Sequence, residues 1–169
     1  MELVPELSCV PELLELDAEF VNPFIVAANE TLVALSNKPA TKGRLVLTRM
    51  RAFENDTSIV MKIDGGLQGA VVFCMEERTA KEFVSSILYG VPVETLDDMA
   101  RNSLEEFSIR VSQKAKDRLI KLGYMTNVRS SVFIKDKFRL SQDFPFLTLH
   151  LNTGCGDIQV FFNLTRARD

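Results

Sequence analysis

The residue types able to do chemistry in this chain are few. His150 is the only histidine among 169 residues, and Cys9, Cys74 and Cys155 are the only cysteines, far apart and without a Cys-x-x-Cys pair. That inventory argues against a structural zinc site and a disulfide framework. It also argues against nucleophilic mechanisms that depend on a histidine base. Chemistry is left to carboxylates, amides, hydroxyls or a partner. One line brings such groups together: Asn102, Glu106, Ile109 and Gln113 are spaced by four, three and four, which on an α-helix puts them on one face. Ile109 is the odd member, because an apolar side chain there is either an ordinary exposed isoleucine or a contact for a partner. A second candidate, Gly65-Gly66-Leu67-Gln68-Gly69, has the glycines of a phosphate loop. It precedes an apolar run rather than a helix start, so it lacks the orphan amides such a loop uses. It is read as the turn of a β-hairpin.

The helix that must carry the first line spans residues 94–122. Leu96, Ala100, Leu104, Phe107, Val111, Ala115, Leu119 and Leu122 recur at steps of three and four, the apolar stripe of an amphipathic helix. Gly123 stands where a helix commonly ends in the left-handed conformation. At about 100° per residue, the line of Asn102, Glu106, Ile109 and Gln113 lies away from that stripe and faces solvent or a partner.

Around this helix the other elements follow in order. Residues 1–19 hold Pro5, Pro11 and a Leu/Glu mixture and are read as an extension with one short helix over residues 11–16. The domain is expected to run from residue 20 to residue 169. It opens on a helix with Asn22 at the N-cap and Pro23 at the first helical position. Strands are expected at 44–50, at 59–63 in a half-buried alternation, and at 70–75 as a continuous apolar run suited to a central position. A helix at 76–89 follows, and after the long helix come strands at 130–135, 146–151 and 158–164. His150 falls off the leucine face of its strand and is read as solvent-facing. The order indicates an α/β sandwich of the α+β kind, a mainly antiparallel sheet with helices packed on one face.

Composition narrows the partners. The chain is 46% hydrophobic and 25% charged with a formal net charge of −3, ordinary for one folded domain. Scattered basic residues argue against nucleic acid and an anionic membrane surface. No apolar run approaches the roughly 20 residues needed to cross a bilayer, and the acidic N-terminus is unlike a signal peptide. A cytoplasmic protein is expected.

Taken together, FVNPFIVAANETL, IDGGLQGAVVFCMEERTAKEFVSSILYG, LDDMARNSLEEFSIRVSQKA and the closing hairpin FLTLHLNTGCGDIQVFFNL resemble the CheX branch of the CheC/CheX/FliY chemotaxis phosphatases. The resemblance covers roughly residues 20 to 165. It implies a partner, the phosphorylated CheY-type response regulator, and a helical Glu-x-x-Asn signature. In that signature the amide orients a water for attack on the aspartyl phosphate and the acid engages the regulator's lysine. It implies no cofactor of the chain's own, since the receiver brings the Mg²⁺, and pairing as a homodimer through a continuous sheet.

The chain departs from that pattern where it matters. Aligning Leu96-Asp97-Asp98 with the family puts Glu106 on the motif acid and Ile109 on the motif amide. Isoleucine neither donates nor accepts a hydrogen bond. The small residues that flank the motif are replaced by Glu105 and Ser108. Two readings stay open. One is a binding module that keeps the docking face, with Ile109 and Gln113 as partner contacts and weak or no phosphatase activity. The other is an aspartyl-phosphate phosphatase using Glu106 with a displaced amide, Asn102 or Gln113.

Overall fold

A computed structural model describes residues 18–137 and 139–167. Helix α1 (Ala18–Ser36) leads into β1 (Thr41–Lys42) and β2 (Val46–Ala52), then into the hairpin of β3 (Thr57–Gly65) and β4 (Leu67–Met75). Next come α2 (Glu77–Ile87), α3 (Asp98–Lys121), β5 (Thr126–Phe133), β6 (Arg139–Thr153) and β7 (Gly156–Arg166). The strands form one antiparallel sheet in the order β1-β6-β7-β4-β3-β5, with β2 also paired to β6. The expected helix between residues 11 and 16, and the extension as a whole through residue 17, lie outside the described residues.

The sheet has two buried faces rather than one. Ile59, Met61, Ile63, Val71, Phe73, Leu149, Val160 and Phe162 point to the helices and share a core with Phe20, Phe24, Phe83, Leu104, Phe107 and Val111. The alternate residues Val60, Ala70, Val72, Cys74 and Phe161 form a second core with Phe53, Leu140, Phe144 and Phe146. This second layer exists because β6 is long. Its later half, from Leu147, pairs with β7, whereas its earlier half runs on with β2 alone, and the sheet curls so that this ribbon covers the back. The half-buried alternation expected for β3 is therefore corrected. Val60 is only 4% exposed, and β3 is buried on both faces except towards its end. The expected helices on one face are present as described.

The hairpin reading of the glycine cluster holds, with β3 ending at Gly65 at φ +103° and β4 starting at Leu67, and the last glycine of the cluster has a separate steric role. Gly69 sits at φ +135°, and a Cβ there would collide with the carbonyl oxygen of Asn163 on the neighbouring strand. Only glycine allows β4 and β7 to pair at that point.

The start of the domain differs from expectation. Asn22 is not an N-cap: α1 already includes Ala18, and Pro23 lies inside it. Proline removes one intrahelical bond there, the one its N–H would have made to Glu19. Packing outweighs that loss, since Phe20 and Val21 are buried. The Phe20 ring also stands edge-on to Tyr124 at 5.3 Å and under the Arg166 guanidinium at 5.5 Å. No helix among the described residues is long and apolar enough to cross a membrane.

Candidate functional site: the outward face of α3

Helix α3 is set by its two ends. Asp97 takes extended backbone and its carboxylate accepts from the Ala100 N–H at 3.0 Å, a side-chain N-cap that starts the helix four residues later than the apolar stripe alone suggested. At the other end the Tyr124 N–H donates to the Leu119 carbonyl and the Gly123 N–H to that of Ile120, with Gly123 at φ +99°. This paired closure is the Schellman arrangement. Leu122 becomes the cap residue and is 46% exposed, so it leaves the inward stripe in which the periodicity had placed it.

The phase between those ends matches the sequence pattern. Ala100, Leu104, Phe107, Val111, Ala115 and Leu119 are buried, and Phe107 meets the Phe83 ring edge-on at 5.0 Å. Asn102, Glu106, Ile109 and Gln113 are all exposed, with Ile109 at 52%. The structure thus brings the four expected site residues onto one solvent-facing line. Glu106 is not idle on it, because its carboxylate accepts a hydrogen bond from Arg110 at 2.8 Å, one turn further along.

The residues flanking the line divide. Glu105 is exposed and stands beside the approach to Ile109. Ser108 is buried and turned toward β5: its hydroxyl donates to the Glu105 carbonyl at 2.8 Å and accepts from Ser130 at 3.0 Å. Arg101 adds a second tie to that strand, donating to the Val132 carbonyl at 2.8 Å. On the opposite flank Arg118 and Lys114 both pair with Glu30 of α1. The line is therefore carried on a helix clamped on both sides, which holds its geometry fixed.

One pair escaped the sequence reading. Glu19-Phe20-Val21-Asn22 has the Glu-x-x-Asn spacing intact, on α1 instead of α3. Glu19 and Asn22 line a groove between the helices with Pro23, Val26, Arg118, Lys121 and Leu122. The spacing itself was the available signal, hidden because Asn22-Pro23 looked like a helix start. His150 is exposed, with Nδ1 against the Asp157 carboxylate, and lies on the sheet rather than on this face. Among the described residues no group of three or more His, Cys, Asp or Glu side chains is arranged to hold a metal.

Three helices on a curled antiparallel sheet is the fold of chemotaxis proteins of the CheX and CheC type. A crystal structure of the chemotaxis protein CheX from Desulfovibrio desulfuricans superposes with a TM-score of 0.75 at 18% identity, over 88% of this chain and 99% of that one. The CheX of a CheX–CheY–BeF3–Mg²⁺ complex from Borrelia burgdorferi gives 0.70 at 15% identity, over 87% and 98%. In sequence, the CheY-P phosphatase CheX of Thermotoga maritima is 24% identical over 108 residues, 64% of this chain and 70% of that protein. No family model matches. The chain shares the fold of CheX, CheC-like and FliY proteins, and over 108 residues its sequence is similar to that of a CheX.

Proposed function

We propose that this chain is a chemotaxis signalling protein that binds a phosphorylated CheY-type receiver on the outward line of α3 and hastens its dephosphorylation weakly or not at all. The observation that carries this is Ile109, exposed one turn from exposed Glu106 on a helix held from both sides. Phosphoryl transfer to water needs a positioned nucleophile and little covalent help from the protein. An isoleucine cannot supply that positioning, but it suits an apolar contact at a docked surface. Glu106 stays available as the acidic contact. Its pair with Arg110 is exposed, worth roughly 0.2–1 kcal/mol, so a receiver lysine displaces the arginine at small cost. The existence of a CheX–CheY complex supports this class of partner, and Mg²⁺ comes with the receiver. Capture of a receiver by the full chain, with and without its phosphoryl group, tests the reading. Retention of the phosphorylated form is expected, and failure to retain either form overturns it.

The runner-up is an active phosphatase in which another amide replaces the missing one. Asn102, Gln113 and, on α1, Asn22 are the exposed amides that support it. Asn102→Ala, Gln113→Ala and Asn22→Ala separate the cases: loss of phosphate release in one of them, from a wild type that is active, establishes this reading instead.

The setting proposed is cytoplasmic, as a homodimer. The two sheet edges are unequal. β5 is clamped by α3 and presents Asn127, Arg129 and Ser131, whereas β2 leaves its far edge open among the described residues with Leu45, Val46 and Leu47 at 40, 45 and 61% exposure. An open apolar edge is a template for strand pairing, and a two-fold contact between copies closes it. Light scattering is expected to report a dimer, with Leu47→Lys shifting it toward the monomer. A wild-type monomer at micromolar concentration contradicts this.

A further inference from the structure

The groove between α1 and the last turn of α3 is apolar along its base, with Arg118 and Lys121 on its α3 side and Glu19 and Asn22 on its α1 side. Val26 and Leu122 are 39% and 46% exposed there, beside Pro23, while Arg118 and Lys121 stand at its edge. Arg118 is already engaged with Glu30, whereas Lys121 is exposed and has no ion pair among the described residues. Further along α1, Val33 is 42% exposed. Such a strip of apolar surface with that one lysine on its α3 side fits an apolar segment that carries an acid.

The chain carries such a segment next to the groove. Residues 2–17 contain five acids, Glu2, Glu6, Glu12, Glu15 and Asp17, and no lysine or arginine. They also repeat one motif, Val4-Pro5-Glu6-Leu7 and Val10-Pro11-Glu12-Leu13. Proline fixes its own φ and biases the residue before it to extended backbone, so such a motif loses less freedom on docking than a flexible one. The segment joins α1 at Ala18, and Glu19 and Asn22 already line the groove. Eight extended residues reach about 27 Å, close to the length of a 19-residue helix at about 28 Å. A tethered partner also acts at high effective concentration.

We propose that this groove is the docking place of the chain's own residues 2–16, with a Val-Pro-Glu-Leu motif seated on Val26 and Leu122 and an acid facing Lys121. The inference does not depend on receiver binding, and its test involves no receiver.

Cys9 offers a handle for the test. Burial pushes the Cys74 thiol up to about 12, which makes it inert to labelling, and Cys155→Ser removes the remaining thiol, which is only 8% exposed. A nitroxide on Cys9 of the full-length chain is expected to quench the amide signals of Val26, Lys121 and Leu122 most strongly. Lys121→Glu, an exposed change, should restore most of that intensity, and adding Glu12→Lys and Glu15→Lys should bring the quenching back. Quenching that is absent, or unchanged by Lys121→Glu, overturns the proposal. So does quenching that appears only when labelled chains are mixed with unlabelled isotope-enriched ones, since the occupant would then belong to a second copy.

Discussion

The two sides of α3 follow different rules. The inner side is apolar along its central stripe, flanked by the buried Ser103, Ser108 and Ser112, and rings of Phe73, Phe83 and Phe107 interlock edge to face there. The outer line of Asn102, Glu106, Ile109 and Gln113 carries one acid, two amides and an isoleucine, all exposed. The inner residues determine where the helix lies and how stable it is. The outer residues barely contribute to the fold, so they are free to change with function. Ile109, at the position where the family resemblance leads one to expect an amide, lies on the side where stability places no demand.

The largest effect should come from the inner side. Phe107→Ala removes a fully buried ring from the main core and should cost roughly 3–5 kcal/mol, read as a lowered midpoint in urea unfolding. Ser108, on the flank facing β5, should be intermediate. Ser108→Ala deletes a hydroxyl that bonds both Glu105 and Ser130, and should cost about 1 kcal/mol in the same assay. Glu106→Ala should be smallest, within about 0.5 kcal/mol, because it breaks only an exposed pair with Arg110. If Glu106→Ala destabilised the protein as much as Phe107→Ala, the division between the two sides would be false.

The sequence disclosed these two sides because the apolar stripe of α3 is periodic and unbroken over six turns. It located the glycine hairpin and the closing strands for similar local reasons. Two kinds of feature escaped it. The second core depends on the curl that lays β6 and β2 across the back of the sheet. The alternate residues of β3, such as Val60, gain their burial from Phe144 and Phe146 more than eighty positions away, and no local pattern encodes that. The extent of α1 escaped because Asn22-Pro23 has the chemistry of a helix start, whereas the burial of Phe20 and Val21 carries the helix through the proline. That misreading also concealed Glu19 and Asn22 as a spaced pair. For the outer line, the sequence supplied every residue and the correct face. It left open whether Ser108 crowds Ile109, which the hydrogen bond to Ser130 answers by turning Ser108 inward.

The central claim is that the docking side is kept and the water-orienting amide is missing. Phosphate release from a phosphorylated receiver, measured with saturating wild-type chain and with Ile109→Asn, tests it most directly. Losing one well-placed group that acts in the transition state costs about 100- to 1,000-fold. The wild type should therefore stay near the receiver's own rate, and Ile109→Asn should rise visibly above it, short of full recovery because Glu105 remains beside the approach. A wild type that already accelerates release strongly, with no gain from Ile109→Asn, would contradict the account.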